Sequence, residues 1–247
     1  MQQTATLSVV LPAYNEAARL PPYLASVKSY LEAKYPQSYE VIVVDDGSTD
    51  RLPEVLADAA EGWSSLRVLR HERNIGKGAA VRTGMLASRG AMALFADADG
   101  ATPIEAADRL VESLMAGADI AIGSRLLEAP GAERRRAWHR GLAGKLFAAL
   151  ARRVVKLPVR DTQCGFKLFR GEVARKLFAQ VKQTGYMFDL EVLALAQRVG
   201  YRVVEVAVPW REVPGGHLSL IGDLPVILRD LWRLRRQLEF IDTTVPG

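Results

Sequence analysis

Cysteine is almost absent: Cys164 is the single one in 247 residues. That excludes an intrachain disulfide and a cysteine cluster for metal, and it fits a reducing compartment. Long apolar runs are missing too. None approaches the roughly 20 residues that a membrane-spanning helix needs. Leu7–Leu11, flanked by polar residues, is too short for a signal peptide. Nothing marks a linker, a repeat or a low-complexity tract. Acidic residues are absent from Arg134 to Arg160, where nine Lys/Arg fall. With a net charge of +5, this points to an anionic partner: a phosphorylated substrate, a membrane surface or nucleic acid. The basic stretch lacks the aromatic series that would stack bases, which argues against nucleic acid.

What is present suits one large α/β domain with an adequate core: 49% of residues are hydrophobic and 25% charged. The organising stretch is Ala91–Thr102, AMALFADADGAT. Met92–Phe95 reads as a buried strand running into Asp97-Ala98-Asp99-Gly100. Strands are also expected at Leu7–Leu11, Glu40–Val44, Leu66–Leu69, Asp119–Ile122, Phe166–Phe169 and Tyr201–Val208. Helices are expected at Leu20–Lys34, Leu52–Ala60, Gly76–Ser88, Ile104–Met115, Trp138–Val155, Val173–Val181, Leu190–Val199 and Ile221–Phe240. This alternation predicts a Rossmann-like, mostly parallel sheet with helices on both faces and a C-terminal amphipathic helix. Residues 1–220 form the expected domain, with 221–247 as a helix and tail of the same unit.

Three strand ends carry polar clusters: Tyr14-Asn15-Glu16, Asp45-Asp46 and Asp97/Asp99. In a parallel sheet they converge on one rim, where ligands bind. Acidic groups gathered there repel one another unless a cation lies between them. Two aspartates at i and i+2 can share one hard cation, and that cation can hold a diphosphate. Carboxylates also suit ribose hydroxyls and base N–H groups. Local alternatives stay open: Asp99 or Thr102 capping the next helix, Ser48, Thr49 and Asp50 capping another, and Asn15 in an Asx-turn.

LPAYNE, VVDDGSTD, FADADGAT, GSR and DTQCGFKLF, in this order and spacing, resemble the family 2 glycosyltransferases, and within them the branch acting on polyprenyl phosphates. The resemblance runs from about Leu7 to Leu220. It implies a GT-A fold, a nucleotide-sugar donor, Mg2+ or Mn2+, and inversion at the anomeric carbon. Carried over, it places Pro12, Tyr14 and Glu16 in the nucleoside pocket and Val44 and Asp46 at the base or ribose. Asp97 and Asp99 would hold metal and diphosphate, with the Ala98 backbone against the nucleotide. Arg125 would face phosphate, and Arg211 and His217 would close over the donor. A lysine is usual where His217 stands, so closure would be weaker or pH-sensitive. The mannosyl branch has a third metal ligand where this chain has Ala101. The DADGAT form resembles the glucosyl branch, which implies UDP-glucose, with GDP-mannose as the alternative.

A phosphate monoester is mostly ionised at neutral pH, so such an acceptor needs positive charge more than a general base. Arg125 and the stretch containing Arg134, Arg135 and Arg136 supply it. Asp189 and Glu191 could act as a base or orient the sugar, or could simply favour a helix start. Lys77 in NIGKGAA lacks the P-loop signature and is expected to serve helix-start packing. The last helix, with Leu224, Ile227, Leu231 and Leu238 on one stripe and Arg229, Arg233 and Arg236 recurring, could lie on an anionic membrane. The expectation is therefore a peripheral enzyme on the cytoplasmic face of a membrane. Two rivals are a haloacid-dehalogenase-like phosphohydrolase with Asp97 as nucleophile and a non-catalytic membrane-surface binding protein.

Overall fold

A computed structural model describes residues 5–127 and 159–213. The chain opens with β1 (Leu7–Ala13), α1 (Leu20–Lys34), β2 (Tyr39–Asp45), α2 (Leu52–Glu61) and β3 (Leu66–Arg70). It continues with α3 (Lys77–Ala87), β4 (Met92–Ala96), a 3-10 turn (Ile104–Ala106), α4 (Ala107–Met115) and β5 (Ile120–Ser124). After the intervening segment come β6 (Phe166–Arg170), α5 (Gly171–Gln180), α6 (Phe188–Val199) and β7 (Val203–Ala207). The expected helices at Trp138–Val155 and Ile221–Phe240 lie outside the described residues.

The strands form one seven-stranded sheet in the order β3-β2-β1-β4-β6-β5-β7. β1 pairs in parallel with both β2 and β4, so the chain reverses direction of travel across the sheet between them. That reversal opens a crevice at the carboxyl ends of the strands. The long, unbroken apolar runs of β1, β2 and β4 follow from burial on both faces. Leu7, Val9 and Leu11 face the core under α1, α2 and α4; Val10, Ile42 and Phe95 face the core under α3, α5 and α6.

The Phe166–Phe169 segment is a strand as expected, but it runs antiparallel, wedged between β4 and β5. Asp97 stands just beyond β4 and Gly165 just before β6, so the two meet where the strands diverge. The Asp97 N–H donates to the Gly165 carbonyl at 2.9 Å. The Ile104–Met115 helix divides into the 3-10 turn and α4.

Candidate active site

The rim forms because two loops are tied together. The Asn15 N–H donates to Ser48 Oγ at 2.9 Å, and Asn15 Oδ1 accepts from the Thr49 N–H at 2.9 Å. Asp50 Oδ2 accepts from the Ala17 N–H and Oδ1 from the Leu52 N–H. Asn15 takes a left-handed backbone (φ 55), which asparagine tolerates better than most residues. Asp50 holds the start of α2 through the Leu52 N–H, whereas Asn15, instead of the expected Asx-turn, reaches across to the Thr49 and Asp50 N–H groups, which fixes the loops after β1 and β2 as one ledge.

Asp46 is almost wholly buried, and its carboxylate is engaged inside the protein. Oδ1 accepts from the Ile75 N–H at 3.0 Å and contacts His71 Nδ1 at 2.6 Å; Oδ2 accepts from the Gly76 N–H at 2.8 Å. These contacts hold the loop before α3. Val44 is fully buried with its side chain in the core under α3, Pro12 is buried within β1, and Ala98 is buried in the core under α1. Tyr14 and Glu16 stand half-buried on the ledge, with Glu16 paired to Arg19.

Asp97 and Asp99 follow β4 on the rim. Asp99 Oδ1 accepts from the Ala101 N–H at 2.9 Å, closing a small turn in which Gly100 has φ +65. Asp99 therefore shapes its own loop, and the following 3-10 turn has no side-chain cap. Burial, and then the charge of Asp97, push the Asp99 carboxyl above its ordinary range. A divalent cation would relieve that repulsion. No group of three or more metal-ligating side chains occurs among the described residues. The two carboxylates thus fit a hard cation that takes its remaining oxygens from water and a substrate diphosphate, the usual habit of Mg2+. The third-ligand position is Ala101. Its N–H is used by Asp99, and its carbonyl accepts from the Arg211 N–H at 3.0 Å. The exposed Arg211 is thereby tied beside the aspartate loop.

Lys77, expected only to serve helix-start packing, also reaches the rim. It begins α3, and its Nζ stands 2.5 Å from Asp97 Oδ1. The glycines around it are steric requirements. A Cβ on Gly76 would meet the Thr184 carbonyl oxygen at 2.5 Å, and one on Gly78 the Gln183 carbonyl oxygen at 2.6 Å. Behind Lys77, the buried Lys167 Nζ donates to Asp189 Oδ1 at 2.5 Å and to the Cys164 carbonyl at 2.7 Å. Negative and positive groups so alternate: Asp97, Lys77, Asp189, Lys167. Burial disfavours charge on Lys77, but Asp97 and Asp189 outweigh it and hold its pKa above the ordinary lysine value. Burial pushes the Asp189 carboxyl up against the pull of Lys167 and Lys77.

Of the two acids raised as possible bases, Asp189 is therefore ion-paired. Glu191 is fully buried, and its Oε2 accepts from the Lys182 and Gln183 N–H groups at 3.0 and 2.7 Å. Arg125, just past β5, is gripped by Asp161: Nε at 2.8 Å, Nη2 at 2.7 Å and its own N–H at 2.9 Å. Burial opposes the Arg125 charge, yet the Asp161 hydrogen bonds and charge keep its pKa above the ordinary value. Asp161 was not singled out from the sequence, although it opens DTQCGFKLF. Cys164 beside it is no nucleophile, since burial pushes the thiol up to about 12. His217, Arg134, Arg135 and Arg136 lie outside the described residues.

A doubly wound sheet whose central strand ends in an Asp-x-Asp pair is the GT-A architecture of enzymes that use nucleotide sugars. The chain belongs to glycosyl transferase family 2, whose sequence pattern matches residues 8–178, and it is a glycosyltransferase. It is 41% identical over 240 residues to the dolichyl-phosphate beta-glucosyltransferase of Drosophila melanogaster, covering 92% of this chain and 74% of that one. The Homo sapiens protein of the same name is 39% identical, covering 87% of this chain and 70% of its own length. Among solved structures, glucosyl-3-phosphoglycerate synthase from Mycobacterium tuberculosis with Mn2+, UDP and phosphoglyceric acid shares the fold. Its TM-score is 0.66 at 22% identity, over 98% of this chain and 80% of that one. A Pyrobaculum calidifontis mannosyltransferase with GDP-Man and Mn2+ aligns at a TM-score of 0.62 and 18% identity, over 98% of this chain and 66% of that one.

Proposed function

We propose that this enzyme transfers glucose from UDP-glucose to the phosphate of a polyprenyl lipid, dolichyl phosphate or a close analogue. The carrying observation is the 41% identity, over 92% of the chain, to a dolichyl-phosphate beta-glucosyltransferase. Family membership sets aside the phosphohydrolase and the non-catalytic binding protein.

An acceptor phosphate oxygen attacks the anomeric carbon from the face opposite UDP. The new carbon–oxygen bond forms as the bond to the diphosphate breaks, and UDP leaves with the electron pair. The product has inverted configuration. The acceptor is already ionised, so no side chain need remove a proton. The engagement of Asp189 with Lys167 and of Glu191 with backbone amides supports that economy. Asp97 and Asp99 would hold Mg2+ or Mn2+, which when bound neutralises charge building on the departing diphosphate. Lys77 adds a fixed positive charge beside Asp97. Arg125, with its own charge offset by Asp161, presents a rigid fork to the acceptor phosphate rather than a free cation. Arg211 and His217 belong to the donor side, and Tyr14 and Glu16 to the nucleoside.

No helix among the described residues is long and apolar enough to cross a membrane. A lipid acceptor brings the active site to headgroup level, and the basic stretch containing Arg134, Arg135 and Arg136 would bind anionic lipid on the cytoplasmic face. Calorimetry with UDP-glucose and GDP-mannose, each with and without Mg2+, tests the donor, and turnover with a polyprenyl phosphate tests the acceptor. The expected result is Mg2+-dependent binding of UDP-glucose and a glucosylated lipid. Preference for GDP-mannose would overturn the donor assignment; glucosylation of a soluble phosphate but not the lipid would overturn the acceptor.

A further inference from the structure

Tyr23, on α1, lies beneath the aspartate loop. Its ring is pressed against Gly100: a Cβ there would stand 2.9 Å from the ring Cδ2 and 3.1 Å from Cγ. Gly100 follows Asp99 directly, so the phenol and the carboxylate loop share one wall. Tyr23 is 7% exposed, and its hydroxyl is buried without a hydrogen-bond partner among the described residues. Buried hydroxyls in folded proteins nearly always have a partner.

The charges facing this hydroxyl are negative. Burial, and then Asp97, Asp99 and Glu105, hold its pKa above the ordinary phenol value. Tyr23 therefore keeps its proton and is suited to donate a hydrogen bond, not to ligate a metal as phenolate. The aspartate pair beside Gly100 would bring such an acceptor with its cation: a carboxylate oxygen turned by metal binding, or a water on the metal.

We propose that Tyr23 is a positioning residue whose hydroxyl donates to the oxygen shell of the cation held by Asp97 and Asp99. The inference rests on the metal reading given above. Groups that hydrogen-bond a metal's ligands commonly govern its affinity by about 10- to 100-fold when removed. Phenylalanine keeps the ring under Gly100 and removes only the donor. A hydroxyl that has no partner in the metal-free protein contributes nothing to stability there, so its loss should not harm the fold.

The test compares the full-length protein with Tyr23→Phe. Mn2+ binding is followed by electron paramagnetic resonance with and without UDP, and thermal melting is recorded in EDTA. The expected result is a Mn2+ dissociation constant raised by about 10-fold, with melting in EDTA unchanged or higher. Equal Mn2+ affinity in the two proteins would overturn the assignment and leave the phenol merely hydrated. A fall in melting temperature in EDTA would also overturn it, by showing an ordinary structural bond. If the wild-type protein binds no Mn2+, the metal reading itself fails and this inference with it.

Discussion

Gly165 stands so close to Asp97 that a Cβ at position 165 would fall 2.0 Å from Asp97 Oδ2. The carboxylate leans over the bare backbone of the neighbouring antiparallel strand. Position 165 thus fixes where the first aspartate of the pair can point.

Gly165→Ala should displace the Asp97 carboxylate by an ångström or more. Misplacement on that scale commonly costs about 100-fold in rate. Turnover should fall at least that far, with UDP binding in EDTA far less affected. A variant with near-normal turnover would show that the Asp97 position is not critical.

Lys77→Met should weaken donor binding. It removes the cation 2.5 Å from Asp97 and leaves Asp97 and Asp99 to repel each other and the diphosphate. A hydrogen bond to a charged group is worth about 1.5–3 kcal/mol, which is about 10- to 100-fold in affinity. Calorimetry with UDP, with and without Mn2+, measures it. Unchanged affinity with a lowered melting temperature would return Lys77 to a packing role.

Asp161→Asn tests the grip on Arg125. Burial opposes the Asp161 charge, but Arg125 holds the carboxyl below its ordinary range. Its stabilisation is therefore present above the unfolded value near ~3.9 and is lost as pH falls through the lower folded value. The variant should be about 3 kcal/mol less stable at pH 7, as for other broken buried pairs. The gap should narrow as pH falls below about 4. Urea denaturation at several pH values reads this directly, and a gap independent of pH would contradict the ion-pair account.

Glu191→Gln separates structure from chemistry. If Glu191 only holds the Lys182 and Gln183 amides, the variant loses about 1–3 kcal/mol of stability and keeps turnover to within a few-fold. Loss of turnover by orders of magnitude in a fully stable protein would make Glu191 a catalytic group instead.

Membrane attachment should be electrostatic. Sedimentation with anionic vesicles should weaken as salt rises, and changing Arg134, Arg135 and Arg136 together to Ala should weaken it further, each basic residue being worth about 1 kcal/mol. Indifference to anionic vesicles at low salt would refute surface binding.

The strands β1, β2 and β4 and the rim they share were legible, though not their order in the sheet, because apolar runs ending in polar clusters and alternating with helices read as a parallel sheet. Helix α1 matches its 3.6-residue pattern from Leu20 to Lys34. The direction of β6 was not legible: Phe166–Arg170 has the same composition whichever way it runs, and only its neighbours decide. Asp97 and Asp99 were singled out by position, and the structure does set them just past the end of β4. The pairing of Lys77 with Asp97 was not foreseen because no local motif ties it to a residue 20 positions on. The clue was a lysine squeezed between two glycines at the start of a helix on the same rim. The internal engagement of Asp46 was not legible either: its carboxylate is held by the Ile75 and Gly76 amides and by His71, and no local pattern in VVDDGSTD announces partners some 25 to 30 residues on.

The grip of Asp161 on Arg125 has an evolutionary corollary. The chain leaves β5 at Ser124 and re-enters the sheet at Phe166, and this clasp staples the two ends of the excursion at its base. With the neck closed, doubling the length of what lies between costs only about 0.6 kcal/mol of closure entropy. If Arg134, Arg135 and Arg136 hold the acceptor as proposed, acceptor preference would be open to change there by insertion, deletion or substitution while β1 to β4 stay as they are.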